Sequence, residues 1–138
     1  MALITGRDLA VKVIEQVTKH PETHVQSTWI DSCGTTACIA GWAVALNRQD
    51  GEDVFHTKQR IAAELRPVDA LGRVISGESG SLLNWSEAGA ALFGFFHSGS
   101  REVDEVAADR IFMCMDETEA VRRLASRFDI ELPEGYPA

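Results

Sequence analysis

The stretch that most constrains the fold runs from Cys33 to Leu46, Cys-Gly-Thr-Thr-Ala-Cys-Ile-Ala-Gly-Trp-Ala-Val-Ala-Leu. Thr35 or Thr36 can cap a helix there, because a hydroxyl oxygen accepts a first-turn N–H that has no partner within the helix. Beyond that cap every residue to Leu46 is apolar or small. Ala37, Gly41 and Ala45 fall at helical spacing and form one smooth stripe, against which a second backbone can lie close. Cys38 with Trp42, and Ile39 with Ala43 and Leu46, form two more. A helix apolar on all sides is buried on all sides. The run is too short for a membrane span, which needs about 20 apolar residues. The pattern predicts a central helix over about 35–47, wrapped by its neighbours.

Helical spacing predicts those neighbours. Leu9, Val13 and Val17, with Ala10 and Ile14 beside them, mark an amphipathic helix that starts near Thr5 and stops at His20-Pro21, since the residue before proline avoids the helical region. Residues 20–33 read as a connection whose Trp29 and Ile30 cover the central helix. Gly51 marks a turn, and Val54-Phe55 either pair briefly as a strand or pack. Thr57 is a candidate cap for a helix bearing Ile61, Ala62 and Leu65, ending at Pro67 and continued with a kink over 68–75. Residues 76–81 form a loop by composition. Trp85-Ser86 opens a helix with Ala88, Ala91 and Leu92, stopped by Gly94. Ser100 is a good cap for an acidic helix through Met113. Asp116-Glu-Thr-Glu119 is a capping-box pattern that starts a last helix with Ala120, Val121, Leu124 and Phe128. Residues 131–138 should be an extended tail. The expected fold is all-α: one domain, 1–138, a compact bundle of five or six short helices around the buried central one.

Composition bounds function. With 138 residues and 45% hydrophobic side chains the chain can bury a real core. An odd number of cysteines argues against a disulfide framework, and the amino terminus shows no basic stretch followed by an apolar segment. A cytoplasmic location is therefore expected, with no membrane association. A formal charge of −8 speaks against direct nucleic-acid binding, which needs a basic face. Trp85–Gly94 and Ser100–Glu105 can be drawn as a helix-turn-helix, but Glu102, Asp104 and Glu105 on the reading helix would repel phosphates.

Acid is concentrated from Glu102 to Glu119, with seven carboxylates against the single Arg110. One reading is a solvated helix face. The other is a surface that meets a basic partner, or one that occupies the basic groove of a DNA-binding protein. The candidate partner-binding residues are Glu102, Asp104, Glu105 and Asp109. A second candidate surface is the Trp85–Phe96 region, where Trp85, Phe93, Phe95 and Phe96 exceed what one short helix buries on a single face.

Two further constellations have chemical meaning. His20-x3-His24 followed by Cys33-x4-Cys38 has separations seen in structural zinc sites, and two thiolates with two imidazoles would complete a tetrahedron. The pairs stand in the reverse order of the common finger, and the competing reading makes Cys38 a small core residue, with both histidines at the surface. Cys38 near a helix start could also be a nucleophile with a lowered pKa, given a base such as His24, His56 or His97. Burial in an apolar helix would raise that pKa instead. Packing cysteines are the reading favoured here, with no cofactor and no catalytic residue.

The order of the motifs (a first helix, His20-Pro-Glu22, Trp29, then Cys33-Gly-Thr-x-x-Cys38-x-Ala-Gly-Trp42-Ala) resembles a group of small proteins of actinobacteria and their phages. The likeness covers residues 1–46. Weaker echoes are Glu87-Ala-Gly-Ala-Ala-Leu-Phe-Gly94, similar to the group's Ala-Ala-x-Leu-Leu-Gly segment, and Arg110-Ile-Phe with Glu119-Ala-Val-Arg-Arg-Leu124, similar to its closing helix. Residues 47–85 have no counterpart. Some similar sequences carry histidine where this chain has Ala37. The group has no established activity, so the resemblance implies a source rather than a chemistry. The expected function is a small non-enzymatic interaction protein that binds a cellular or host protein through its acidic helical surface. The alternative is a metal- or thiol-dependent protein using Cys33 and Cys38.

Overall fold

In the computed structural model, residues 3–26, 37–68, 73–75 and 84–134 are described. Among the described residues six α-helices pack around one apolar core: α1 Gly6–Lys19, α2 Ile39–Ala45, α3 Val54–Leu65, α4 Trp85–Phe93, α5 Glu105–Phe112 and α6 Glu117–Arg127. Among the described residues extended pairing is confined to isolated bridges, so the expected all-α class holds. None of the described helices is long and apolar enough to cross a membrane.

Helix α1 follows its sequence pattern. Leu9, Ala10, Val13, Ile14 and Val17 form the buried stripe, and the His20 N–H closes the last turn on the Gln16 carbonyl before Pro21 ends it. A single 3₁₀ turn over Pro21–Thr23 then leads into a short parallel pairing of residues 23–25 with Ala37. Val25 N–H donates to the Ala37 carbonyl at 3.1 Å, and Ala37 N–H to the Thr23 carbonyl at 3.0 Å.

That pairing corrects the expected central helix. Ala37 is extended, so α2 starts only at Ile39, and its cap is Cys38 rather than a threonine, with the sulfur accepting the Gly41 N–H at 3.4 Å. Thr35 and Thr36, like Trp29, Ile30 and Cys33, lie outside the described residues. What remains of the small-residue stripe is Gly41, buried, and Ala45, partly buried. The centre of the bundle is shared. Helix α2 packs most extensively against α4, whose residues Ala88 to Phe93 are all buried, and both touch α1, α3 and α5.

Helix α3 starts earlier than the Thr57 cap predicts. Asp53 caps it through the His56 N–H at 2.8 Å, and Val54 is its first residue rather than part of a strand. Thr57 is fully buried one turn inside, its hydroxyl 2.9 Å from the Glu52 carboxylate. Arg66 ends the helix in the left-handed region (φ 48°) just before Pro67. Where it is described, at 68 and 73–75, the expected continuation is not helical. Val68 bridges Val74 in antiparallel fashion and Glu102 in parallel, and Ile75 N–H returns to the Pro67 carbonyl. Residues 69–72 and the predicted loop at 76–81 lie outside the described residues.

Glu52 joins the start of α3 to the end of α2. Its carboxylate takes Arg60 Nη2 at 2.8 Å and Nε at 3.2 Å, together with Gln49 N–H at 3.1 Å, while Arg60 Nη2 also reaches the Asn47 carbonyl. The bonds from Arg60, helped by Gln49 and Thr57, hold the Glu52 pKa down at about 2 against an opposing burial effect. A carboxylate whose folded pKa lies below its unfolded value of 4.5 contributes stability above that value, and the contribution is lost as pH falls toward about 2. Glu52→Gln should therefore be less stable than wild type at pH 7 and should lose less stability across the acid limb. Urea midpoints over that range decide it, and parallel pH profiles would remove Glu52 from the balance.

The last two helices are bounded by aspartates. Helix α4 ends where Gly94 adopts φ 80°, as its position predicts. Phe96 then pairs with Val103, and Asp104 N–H donates to the Phe95 carbonyl at 2.8 Å, which keeps residues 102–104 extended. Ser100 is consequently not a cap. Its hydroxyl donates to the His97 carbonyl and accepts the Glu102 N–H, closing the 97–100 turn. Asp104 caps α5 through Ala107 N–H, and Asp116 caps α6 through Glu119 N–H at 3.0 Å. In the predicted box Glu119 instead takes Arg123 Nε at 3.4 Å. Residues 131–133 have no regular secondary structure, with Leu132 against the core, and 135–138 of the expected tail lie outside the described residues.

Candidate functional site

The acidic segment is not one helix. Glu102 is held in the bridge to Val68 and is partly buried. Asp104 spends one oxygen on the Ala107 N–H at 3.1 Å, and its other oxygen lies 4.0 Å from His97 Nδ1. Of the four candidate residues, Glu105 and Asp109 alone are exposed on α5. They stand four residues apart and therefore share a flank. Val106 on the helix and Met113, the residue that caps its end, are 73% and 54% exposed, with Met115 beyond them at 56%. Ala108, Ile111 and Phe112 face the core.

The other flank of α5 has the opposite charge. Ala107 and Arg110, with the edge of the buried Ile111 side chain at the groove floor, face α6 across an open groove of about 770 Å³, whose far wall is Arg123, Ser126 and Arg127. Arg123 is tethered, since its Nη1 donates to the Arg110 carbonyl at 2.7 Å. Arg127 lays its guanidinium over the Phe95 ring, 5.1 Å from the centroid. His97, Asp104 and Val106 close one end, where the groove meets a smaller hollow of about 200 Å³ bordered by Glu87, Glu102 and Glu105. Helix α5 thus divides a basic groove from an acidic shelf.

The Trp85–Phe96 aromatics are not a free surface. Phe93 and Phe95 are 2% and 1% exposed and cluster with Phe112 and Phe128 at centroid distances of 5.5–6.1 Å. Trp85 and Phe96 are partly buried, with the Lys58 ammonium over the Trp85 ring.

Of the histidine–cysteine constellation, His20 is exposed beside Glu22. His24 is buried, which corrects its expected surface position: its Nε2 lies 2.8 Å from Gln26 Oε1. Burial pushes the imidazole pKa down, with the Gln26 bond and the Glu117 charge opposing it. Burial likewise pushes the Cys38 thiol up, away from what a nucleophile requires. Cys33 is outside the described residues, and among those described no three His, Cys, Asp or Glu side chains converge as metal ligands.

Between His24 and Cys38 sits a residue that sequence reasoning passed over. Gln26 is buried, and its Nε2 faces the carbonyls of Ile111 (3.1 Å), Phe112 (3.4 Å) and Cys114 (2.8 Å). Its Oε1 accepts the Ile39 N–H at 3.0 Å. With the amide nitrogen facing carbonyls, Oε1 is an acceptor, so His24 Nε2 carries the hydrogen. One side chain thereby serves the carboxyl end of α5 and the amino end of α2. Its backbone N–H also reaches the Glu117 carboxylate at 3.2 Å, which ties in the start of α6.

Comparison with protein-family models, with curated proteins and with solved structures finds no match for this chain.

Proposed function

We propose that this chain is a non-enzymatic interaction protein of actinobacterial or phage origin, acting in the cytoplasm (the host's, if phage-encoded) on a cellular or host protein with a basic surface. The observation that carries the reading is the outer face of α5, where Val106 and Met113 stand exposed beside Glu105 and Asp109. Apolar anchors rimmed by charge are what a docking helix offers: the anchors supply the buried area, and the charges steer encounter more than they set final affinity. The thiol alternative has less support, because burial holds Cys38 protonated.

Reversing Glu105 and Asp109 to lysine should leave the fold intact, since exposed helix positions lose pair terms of a few tenths of a kcal/mol and Glu105, in the first turn, a favourable helix-end charge of about 0.3–1 kcal/mol. Capture of the partner from an actinobacterial lysate should fail for that variant. For wild type it should weaken as salt rises past the range where the Debye length is about 8 Å. Identical partner lists from the two proteins would remove the acidic flank from the mechanism. Retained capture by Val106→Asp would remove that apolar anchor.

A further inference from the structure

Three arginines line one groove in a chain with 21 acidic and 13 basic side chains. Placing like charges together is unfavourable without a counter-charge, and of the three only Arg123 has a carboxylate partner among the described residues, Glu119 at 3.4 Å. We propose that the groove between α5 and α6 binds a small organic phosphate, its phosphoryl group on Arg110, Arg123 and Arg127 and its apolar body against Val106, Ala107 and Ile111.

The fork geometry favours this ligand. A guanidinium presents five N–H donors in a plane that matches phosphate or carboxylate oxygens in pairs. Arg123 uses Nη1 on the Arg110 carbonyl and Nε on Glu119, which fixes the plane while Nη2 stays available. Arg127 is oriented by the Phe95 ring beneath it. Both side chains are thus ordered before a ligand arrives, so less rotamer freedom is lost on binding. The Ser126 hydroxyl, between them in sequence and on the same wall, adds a donor. A carboxylate has two oxygens and engages one fork well; a phosphoryl dianion has three and can engage all three arginines.

Size and surroundings exclude an extended polyanion. The groove, about 770 Å³, lies within the roughly 300–1,000 Å³ of small-molecule sites. At its end Asp104 is committed to capping α5, and Glu87, Glu102 and Glu105 border the next hollow, so a second phosphate along a nucleic-acid backbone would meet carboxylates. This inference does not depend on a protein partner, and its test uses none.

Phenyl phosphate, inorganic phosphate and benzoate serve as probes, titrated calorimetrically into the whole protein in a phosphate-free buffer. Wild type should bind phenyl phosphate saturably and at least about tenfold more tightly than either of the others, because neither supplies both the phosphoryl group and the apolar body. Arg110→Gln, at an exposed side chain, should weaken phenyl phosphate by about tenfold, and Arg110→Gln with Arg127→Gln should abolish it, with the urea midpoint reported alongside. Arg122→Gln, on α6 but outside the groove, should bind as wild type does. Absence of saturable binding to wild type would overturn the proposal, as would equal binding by the Arg110→Gln variant. Inorganic phosphate as tight as phenyl phosphate would overturn the role given to Val106, Ala107 and Ile111.

Discussion

Gln26→Leu is expected to lower the unfolding free energy by about 3–5 kcal/mol, a large share of the roughly 5–15 kcal/mol that holds a domain of this kind together. Leucine fills nearly the same space, so the loss is polar. The Ile39 N–H at the start of α2 and the His24 Nε2–H lose their acceptor, and the Phe112 and Cys114 carbonyls lose a donor. Each buried polar group left without a partner costs about 1–3 kcal/mol, and all of these groups but the half-buried Cys114 carbonyl are too deep for water to replace the amide cheaply. A urea melt gives the magnitude. Amide exchange gives the location, since Ile39 N–H should exchange faster in the variant even where the fold survives. An unchanged midpoint with an unchanged Ile39 rate would mean that Gln26 is dispensable and that the ends of α2 and α5 are satisfied another way.

That residue also marks where the sequence stops being readable. Helix α1, the stop at Pro67, the stop at Gly94 and the Asp116 cap are all written locally, in apolar spacing or in a residue type with one strong preference, and they are found where they are expected. Apart from the start of α3, where Asp53 and Thr57 compete as caps within one segment, the errors are long-range. Ala37 fits a helix as well as it fits a bridge, and its pairing with residues 23–25 decides the matter. Ser100 and Asp104 are both good caps, and the Phe96–Val103 pairing selects the second. The same pairing removes Glu102 from the acidic helix, which composition alone could not do. Arg123 and Arg127 are visible in the sequence as neighbours one turn apart, yet their meeting with Arg110 requires α6 to lie against α5. Gln26 carries no local signal at all. It stands in a polar connection, and only the convergence of three helix ends gives it work.

A close approach of α4 to α2 and α5 yields the second large effect. Gly89 sits in the middle of α4, where an added Cβ would stand 2.9 Å from Phe112 Cζ and 3.0 Å from the Ala40 Cβ. Two opposing terms decide Gly89→Ala. Helix propensity favours alanine by about 1 kcal/mol. Against it, Ala40 belongs to α2, the helix most extensively packed on α4, and its Cβ cannot rotate away. The Phe112 ring is 1% exposed and bounded by Phe93 and Phe95, so it too has little room to yield. Overpacking of this kind costs about 1–3 kcal/mol, so the net effect of alanine should be a loss of up to about 2 kcal/mol. Gly89→Leu should lose more than about 3 kcal/mol, since its branched carbons must enter the same contact. Urea midpoints for the series glycine, alanine, leucine should fall in that order. A midpoint that rises with alanine would mean propensity wins, that α2 and α4 stand further apart than a Gly89 contact requires, and that the paired-helix centre of this fold is wrong.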